Sequence, residues 1–138
     1  TVIEDPGAAT RRGAIRTLLL CSGHVYYDLQ LNEARGAADD IAIARVELLH
    51  PFPANAVGRL IESYPNLERL YWVQEEPSNM GAWGHVSLHL RKRTEGPRVQ
   101  YIGRPRRASP SEGFAGSHRL EQERIVTEAL GKPVAISS

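Results

Sequence analysis

The sequence predicts an α/β protein of three layers, in which a mainly parallel sheet carries helices on both of its faces. Short apolar runs of strand length alternate along the chain with amphipathic segments of helix length. The earliest of these runs is apolar without alternation, which is typical of a strand buried on both faces. A chain that alternates strands and helices in this way forms a parallel sheet that is covered on both sides.

The first half of the chain is predicted to contain two strands and two helices. An apolar run predicts the first strand over residues 15–21, and Ser22 and Gly23 then turn the chain into a helix over residues 24–33. The second strand is predicted over residues 41–46. A second helix follows the Pro-Phe-Pro sequence at residues 51–53. The apolar stripe of this helix consists of Ala56, Val57, Leu60, Ile61 and Tyr64.

The second half repeats the pattern. A third strand is predicted over residues 70–73, a third helix over residues 80–92 and a fourth strand over residues 98–102. Residues 103–116 are expected to form a long irregular loop, after which Ser117 caps the last helix. The apolar stripe of that helix consists of Ile125, Val126, Ala129 and Leu130.

Length and composition indicate one ordinary globular domain. The chain has 138 residues, of which 41% are hydrophobic and 24% charged, and this length is sufficient for one core. We expect a linker over residues 1–14, cut from something longer, and the folded domain over residues 15–138. A formal charge of +1 argues against general affinity for nucleic acid or membranes. The single cysteine excludes an internal disulfide and fits a reducing cytosol or a matrix-like compartment. Of a bacterial cytoplasm and a mitochondrial matrix, we expect the cytoplasm.

Residues 73–83, Val-Gln-Glu-Glu-Pro-Ser-Asn-Met-Gly-Ala-Trp, are the most informative segment. They follow an apolar strand directly and lead into a helix, and such loops lie at the carboxyl edge of a parallel sheet, where ligands and partners bind. We call residues 73–83 the signature loop. Four polar or aromatic side chains are predicted to contribute to a domain or subunit interface: Glu75, Glu76, Asn79 and Trp83. For Trp83 we favour core packing, with an interface anchor as the alternative.

The signature loop strongly resembles a segment of the decarboxylating component of 2-oxoglutarate dehydrogenase, a thiamine-diphosphate enzyme whose last domain is of the transketolase C-terminal type. Residues 20–29, 45–53 and 101–105 are similar to further segments of this family, as are the short sequences Ala108-Ser109-Pro110 and Gly116-Ser117-His118. His24 is a departure, because the family often has lysine there.

The resemblance implies a function for a longer parent chain. The family decarboxylates 2-oxoglutarate on thiamine diphosphate held by magnesium, and it passes the succinyl group to a lipoyl-bearing acyltransferase. Its Gly-Asp-Gly cofactor motif is absent from this sequence. We therefore expect no catalytic, cofactor or metal residue here, and a role in packing on the remaining domains and in homodimer assembly. The alternative is a free-standing regulatory module that binds acyl-CoA or a nucleotide.

Basic residues predict a second candidate site. Arg104, Arg106, Arg107 and Ser109 follow the fourth strand, and guanidinium forks with a hydroxyl suit an anionic effector such as a phosphate group. We favour inter-domain salt bridges for these arginines, with the effector site as the alternative. The other basic run, residues 91–93, is expected to be a solvated helix end, where cations complement the helix dipole.

Two further patterns resemble chemical sites. Cys21, Ser22 and His24 place a thiol, a hydroxyl and an imidazole at one turn, but we favour a buried structural cysteine and a capping serine. His85 and His89 have the spacing of metal ligands on a helix, but no third ligand matches them. We therefore expect a polar or interface face there.

Overall fold

The computed structural model describes residues 2–32, 39–47, 51–93, 96–104 and 115–131; for residues 115–121 it describes the backbone alone. The strands are β1 (Val2–Ile3), β2 (Thr17–Cys21), β3 (Ile41–Val46), β4 (Arg69–Pro77) and β5 (Val99–Arg104). The helices are α1 (Pro6–Ala9), α2 (His24–Leu31), α3 (Ala54–Glu62), α4 (Trp83–Leu90) and α5 (Ala115–Ala129), and a 3₁₀ turn spans Arg12–Ala14.

The strands form one five-stranded sheet in the order β1-β3-β2-β4-β5. All pairs are parallel except β1 with β3, which is antiparallel. The central strand β2 is buried along its whole length, as the apolar run predicts. The expectation of a mainly parallel α/β sheet is confirmed.

Two apolar clusters, one on each face of the sheet, produce the three layers. Alternate residues of β2 point to opposite faces, so Leu18 and Leu20 belong to one cluster and Leu19 and Cys21 to the other. The first cluster includes residues of α1, α3 and α4, and the second includes residues of α2 and α5. Helices therefore cover both faces, as expected.

The observed boundaries of strands and helices differ most from the predicted ones at the signature loop. The third strand does not end at Val73 but continues to Pro77, and its register with β5 is irregular between Val73 and Pro77. The helix expected over residues 80–92 is shorter, from Trp83 to Leu90. Tertiary pairing with β5 extends β4 into polar residues that local pattern assigns to a loop.

The segment expected as a linker, residues 1–14, packs on the domain from residue 2 onward. Val2 and Ile3 pair with β3, and Ala8 is fully buried. Asp5 is buried and links the segment to the sheet: one carboxylate oxygen accepts from the backbone N–H of Gly7 at 3.0 Å, and the other accepts from that of Ile43 at 3.2 Å. These contacts belong to the folded unit.

Candidate functional site

A crevice opens at the carboxyl edge of the sheet between β2 and β4. These two strands are parallel neighbours, but the helices that follow them, α2 and α4, pack on opposite faces. Open α/β sheets bind ligands in the crevice that such a reversal creates. The cavity there has a volume of about 410 Å³. Its lining residues are Ser22, Gly23, His24, Trp72, Gln74, Glu75, Glu76, Gly81 and Ala82.

Gln74 organises the signature loop from beneath. Its side chain is buried, and its oxygen accepts from Trp72 Nε1 at 2.9 Å and from the backbone N–H of Trp83 at 3.0 Å. Its nitrogen lies 2.8 to 3.1 Å from three backbone carbonyl oxygens, those of Glu76, Pro77 and Met80. One buried amide thus joins the end of β4, the turn and the start of α4, which fixes the backbone of the loop.

Tyr101 and Gly103 of β5 hold the loop from the side. The hydroxyl of Tyr101 lies within hydrogen-bonding distance of two backbone oxygens, that of Glu76 at 2.9 Å and that of Arg104, and its one proton is shared between them. A side chain at position 103 has no room, because a Cβ there would lie 2.5 Å from that hydroxyl and 2.7 Å from the backbone oxygen of Gln74. Burial raises the pKa of Tyr101 to about 12, so the phenol is protonated at neutral pH.

The two predicted carboxylates have different environments. Glu76 is exposed, whereas Glu75 is half-buried. Burial first, and then the neighbouring carboxylates of Asp28 and Glu76, raise the pKa of Glu75. Gly81, at φ +68°, brings the turn close enough that a Cβ would lie 3.0 Å from an oxygen of Glu76. The loop therefore needs glycine there for both backbone conformation and space.

The other predicted interface residues lie on the same edge. Asn79 is exposed at the tip of the signature loop. Trp83 is partly buried, packs against the first apolar cluster and has its ring centroid 5.4 Å from that of Tyr101. The side chain of Trp83 therefore packs on the core with one part and is exposed at the surface with another. An interface role for Glu75, Glu76, Asn79 and Trp83 stays a prediction.

The candidate anion site is described only at Arg104. This residue is the last of β5 and is buried, not part of an irregular loop as expected. Arg106, Arg107 and Ser109 lie outside the described residues, so the anion site stays a prediction. Pairing with β4 extends β5 two residues beyond the predicted end, and this extension places Arg104 in the sheet.

Cys21 is a buried structural cysteine, as expected. Burial raises its pKa to about 12, so the thiolate needed for nucleophilic attack is absent at neutral pH. The capping role expected for Ser22 is wrong, because Gly23 holds the N-cap position of α2 and no side chain bonds there. Gly23 has φ +73°, which the abrupt turn from β2 into α2 requires.

His85 and His89 contribute to an aromatic cluster on α4. Their ring centroids are 4.6 Å apart, and the ring of Phe52 stacks on His89 at 4.9 Å. Within the described ranges, no group of three or more His, Cys, Asp or Glu side chains is arranged to hold a metal ion. None of the described helices has the length and hydropathy needed to cross a membrane.

Sequence reasoning missed the residues that shape the site, Gln74, Tyr101 and Gly103. The available signal was the amide of Gln74 directly after the apolar residues of β4, since a polar residue there needs buried partners. In the sequence, residues 101–105 stand out only by their similarity to the family, because the contacts of Tyr101 and Gly103 with the signature loop join residues 25 or more positions apart.

Comparison with known proteins agrees with the resemblance. The family model described as 2-oxoglutarate dehydrogenase C-terminal matches residues 1–130. The 2-oxoglutarate dehydrogenase E1 components of Bacillus subtilis and Geobacillus kaustophilus are each 46% identical to this chain, over 94% and 95% of its length and 14% of theirs. That of Exiguobacterium sp. is 39% identical over 99% of this chain and 15% of its own length.

These relatives carry the matched region within a much longer chain, of which the present sequence spans about 14%. The alternative of a free-standing acyl-CoA or nucleotide-binding module receives no support from them. The region matched by the family model includes the whole signature loop and both strands that hold it. The chain belongs to the 2-oxoglutarate dehydrogenase C-terminal family.

Proposed function

We propose that this chain acts as the C-terminal domain of a 2-oxoglutarate dehydrogenase decarboxylating component. The parent enzyme would decarboxylate 2-oxoglutarate on thiamine diphosphate and transfer the succinyl group to a lipoyl acyltransferase. The observation that carries this proposal is the family match over residues 1–130, together with relatives of that name that match more than nine tenths of the chain. A bacterial cytoplasm is the proposed location, supported by the bacterial relatives.

The domain itself is proposed to support assembly, not to react with substrate. Gln74 and Tyr101 hold the backbone of the signature loop, and that backbone presents the exposed side chains of Glu76 and Asn79 at the sheet edge. A fixed loop with outward polar groups suits a contact with the remaining domains or with the second subunit of a homodimer, because little ordering entropy is lost on binding.

The cofactor is proposed to bind elsewhere in the parent chain. Thiamine diphosphate and magnesium would supply the carbanion chemistry of the decarboxylation. The described residues contain no set of three metal-ligating side chains, so we assign no magnesium ligand to them. The crevice residues would instead position the neighbouring domain.

The test uses the full-length natural chain that carries this sequence, with Glu76→Gln and Asn79→Ala combined. We expect a weaker dimer in sedimentation velocity. We also expect a loss of 2-oxoglutarate-dependent carbon dioxide release at nanomolar protein that recovers at micromolar protein, because mass action restores the assembly. Glu68→Gln is the matched control, since Glu68 is an exposed acid at the opposite edge, paired with Arg16 at 2.6 Å.

Two results would contradict the proposal. If activity were lost equally at every protein concentration while the dimer stayed intact, the signature loop would take part in the reaction and not in assembly. Carbon dioxide release from 2-oxoglutarate by residues 1–138 alone, with thiamine diphosphate and magnesium, would remove the supporting role altogether.

A further inference from the structure

A second cavity lies at the amino edge of the sheet, where α4 ends and β5 begins. It has a volume of about 340 Å³ and is lined by Leu90, Arg91, Arg93, Pro97, Arg98 and Val99. Its wall is half basic and half apolar. It is separate from the crevice at the carboxyl edge, with which it shares no lining residue.

The charges around this cavity are unbalanced. Residues 91–98 contain four basic side chains and one acidic side chain. Arg91 and Arg98 are exposed, and within the described residues neither forms an ion pair. Like charges that converge without a counter-charge repel one another, and a bound anion relieves that repulsion.

Arg93 is positioned but incompletely bonded. Its guanidinium lies against α3, where a Cβ on Gly58 would be 3.2 Å from one of its terminal nitrogens. Its acidic neighbour is Glu62 at 3.8 Å, which is too long for a hydrogen bond. The Nε atom is buried and has no hydrogen-bond partner among the described residues. A guanidinium that is held by packing and forms only a long ion pair among the described residues can donate from its terminal nitrogens to an anionic acceptor.

Complementing the helix dipole does not account for this arrangement. That explanation covers Arg91 and Arg93, which follow the last turn of α4. It leaves out Arg98, which comes after the turn at Gly96 and reaches the same cavity from the strand side. It also gives no reason for Arg93 to form only a long ion pair, to Glu62, among the described residues.

We propose that this cavity binds a small organic phosphate. Arg91, Arg93 and Arg98 would hold the phosphate group, since guanidinium forks match its oxygens, and Leu90, Pro97 and Val99 would contact an apolar part of the ligand. The volume is at the lower end for small-molecule sites, which limits the ligand to the size of one ring with its phosphate. The cavity shares no residue with the signature loop, so ligand binding here is independent of the proposed role in assembly.

The experiment is calorimetry on the full-length natural chain at about 0.15 M salt, with phenyl phosphate and inorganic phosphate as probes. We expect phenyl phosphate to bind more tightly than inorganic phosphate because of the apolar wall. Arg98→Gln is expected to weaken phenyl phosphate binding about tenfold, as loss of a charge-assisted hydrogen bond does. Lys92→Gln is the matched control: it removes one exposed charge from the same segment but does not line the cavity.

Arg93→Lys provides a second variant, which keeps the charge and removes the fork; we expect it to weaken binding to a similar extent. If this variant fails to fold, Arg98→Gln still decides. Two outcomes would overturn the proposal: no heat of binding with either probe at millimolar concentration, or equal weakening by Lys92→Gln and Arg98→Gln. The latter would mean a diffuse positive surface.

Discussion

The two edges of the same sheet differ in how their polar groups are bonded. At the carboxyl edge, the buried amide of Gln74 makes five contacts of 2.8 to 3.1 Å that determine the course of the signature loop. At the amino edge, Arg93 makes one ion pair of 3.8 Å, and its buried Nε has no hydrogen-bond partner among the described residues. The amide of Gln74 has its partners within the fold, whereas Arg93 forms only a long ion pair among the described residues.

This difference separates stability from binding. A polar group with all of its partners inside the fold stabilises the fold, and its removal leaves buried partners unsatisfied. A polar group with unused donors contributes little until a ligand arrives. Substitutions at the carboxyl edge should therefore change the free energy of unfolding, while those at the amino edge should change affinity instead.

The largest effect is expected for Gln74→Leu. The change leaves the buried Trp72 N–H and several carbonyl groups without partners, and should lower the free energy of unfolding by about 4 kcal/mol. Urea unfolding followed by tryptophan fluorescence measures it. Gln100→Leu is the control, because Gln100 is exposed on β5. Equal losses of unfolding free energy for the two variants would show that Gln74 does not organise the signature loop.

Gly103→Ala should cost about 2 to 3 kcal/mol, because the new methyl group would overlap the Tyr101 hydroxyl and the backbone of Gln74. In contrast, Gly84→Ala meets no atom within 4 Å and lies in α4, so it should stabilise by up to about 1 kcal/mol. Thermal unfolding of both variants gives the comparison. An unchanged midpoint for Gly103→Ala would mean that β5 can shift away from the loop.

Tyr101→Phe should cost about 1 to 2 kcal/mol at pH 7, because it removes the hydroxyl whose proton is shared between the backbone oxygens of Glu76 and Arg104. Because the folded pKa is raised to about 12, the contribution of Tyr101 is complete below the ordinary value of 10 and declines as pH rises from 10 to 12. Unfolding curves at pH 7 and 11 test this decline. Tyr71→Phe is the control, since its hydroxyl makes no hydrogen bond among the described residues. If the difference in unfolding free energy between the natural chain and Tyr101→Phe grew above pH 10, the expected direction of the pH dependence would be wrong.

Arg93→Gln should change stability by less than about 0.5 kcal/mol, because a long, partly exposed ion pair contributes little. Arg12→Gln should cost more, since Arg12 donates to Ser63 at 2.6 Å and to Glu4 at 2.9 Å. Urea unfolding of both variants, without phosphate, provides the measurement. If Arg93→Gln lowered the free energy of unfolding more than Arg12→Gln did, the proposed difference between the two edges would be wrong.

Glu75→Gln should produce the smallest effect, a gain of a few tenths of a kcal/mol at pH 7, after allowance for solvent screening of a half-buried group. The raised pKa means that the folded state favours the protonated carboxyl. Stability is therefore lost as pH rises from 4.5 through the folded pKa, and glutamine avoids that loss. At pH 4 the gain should vanish. Destabilisation at pH 7 would indicate that the carboxylate has a bonding role in the fold.

Sequence alone determined the alternation of strands and helices, the burial of the central strand and the location of the signature loop. Such features rest on local periodicity: the apolar residues Leu18, Leu19 and Leu20 can be buried only in a strand covered on both faces. The family resemblance also came from contiguous segments. Packing of residues 2–14 was not predicted, because Pro, Gly and Ala there suggest a linker; the pairing of Val2 and Ile3 with β3 and the bond from Ile43 to Asp5 appear only in the tertiary structure.

Only the tertiary structure decided which residues work together at each edge. Gln74 meets Trp83 because the turn after β4 folds back on that strand, and Tyr101 meets Glu76 because β5 pairs with β4. The sequence shows where basic side chains and the two glutamates Glu75 and Glu76 are concentrated, but not which hydrogen-bond donors already have acceptors within the fold. That distinction depends on distances of a few ångströms between elements remote in sequence, over which hydrogen bonds form or fail.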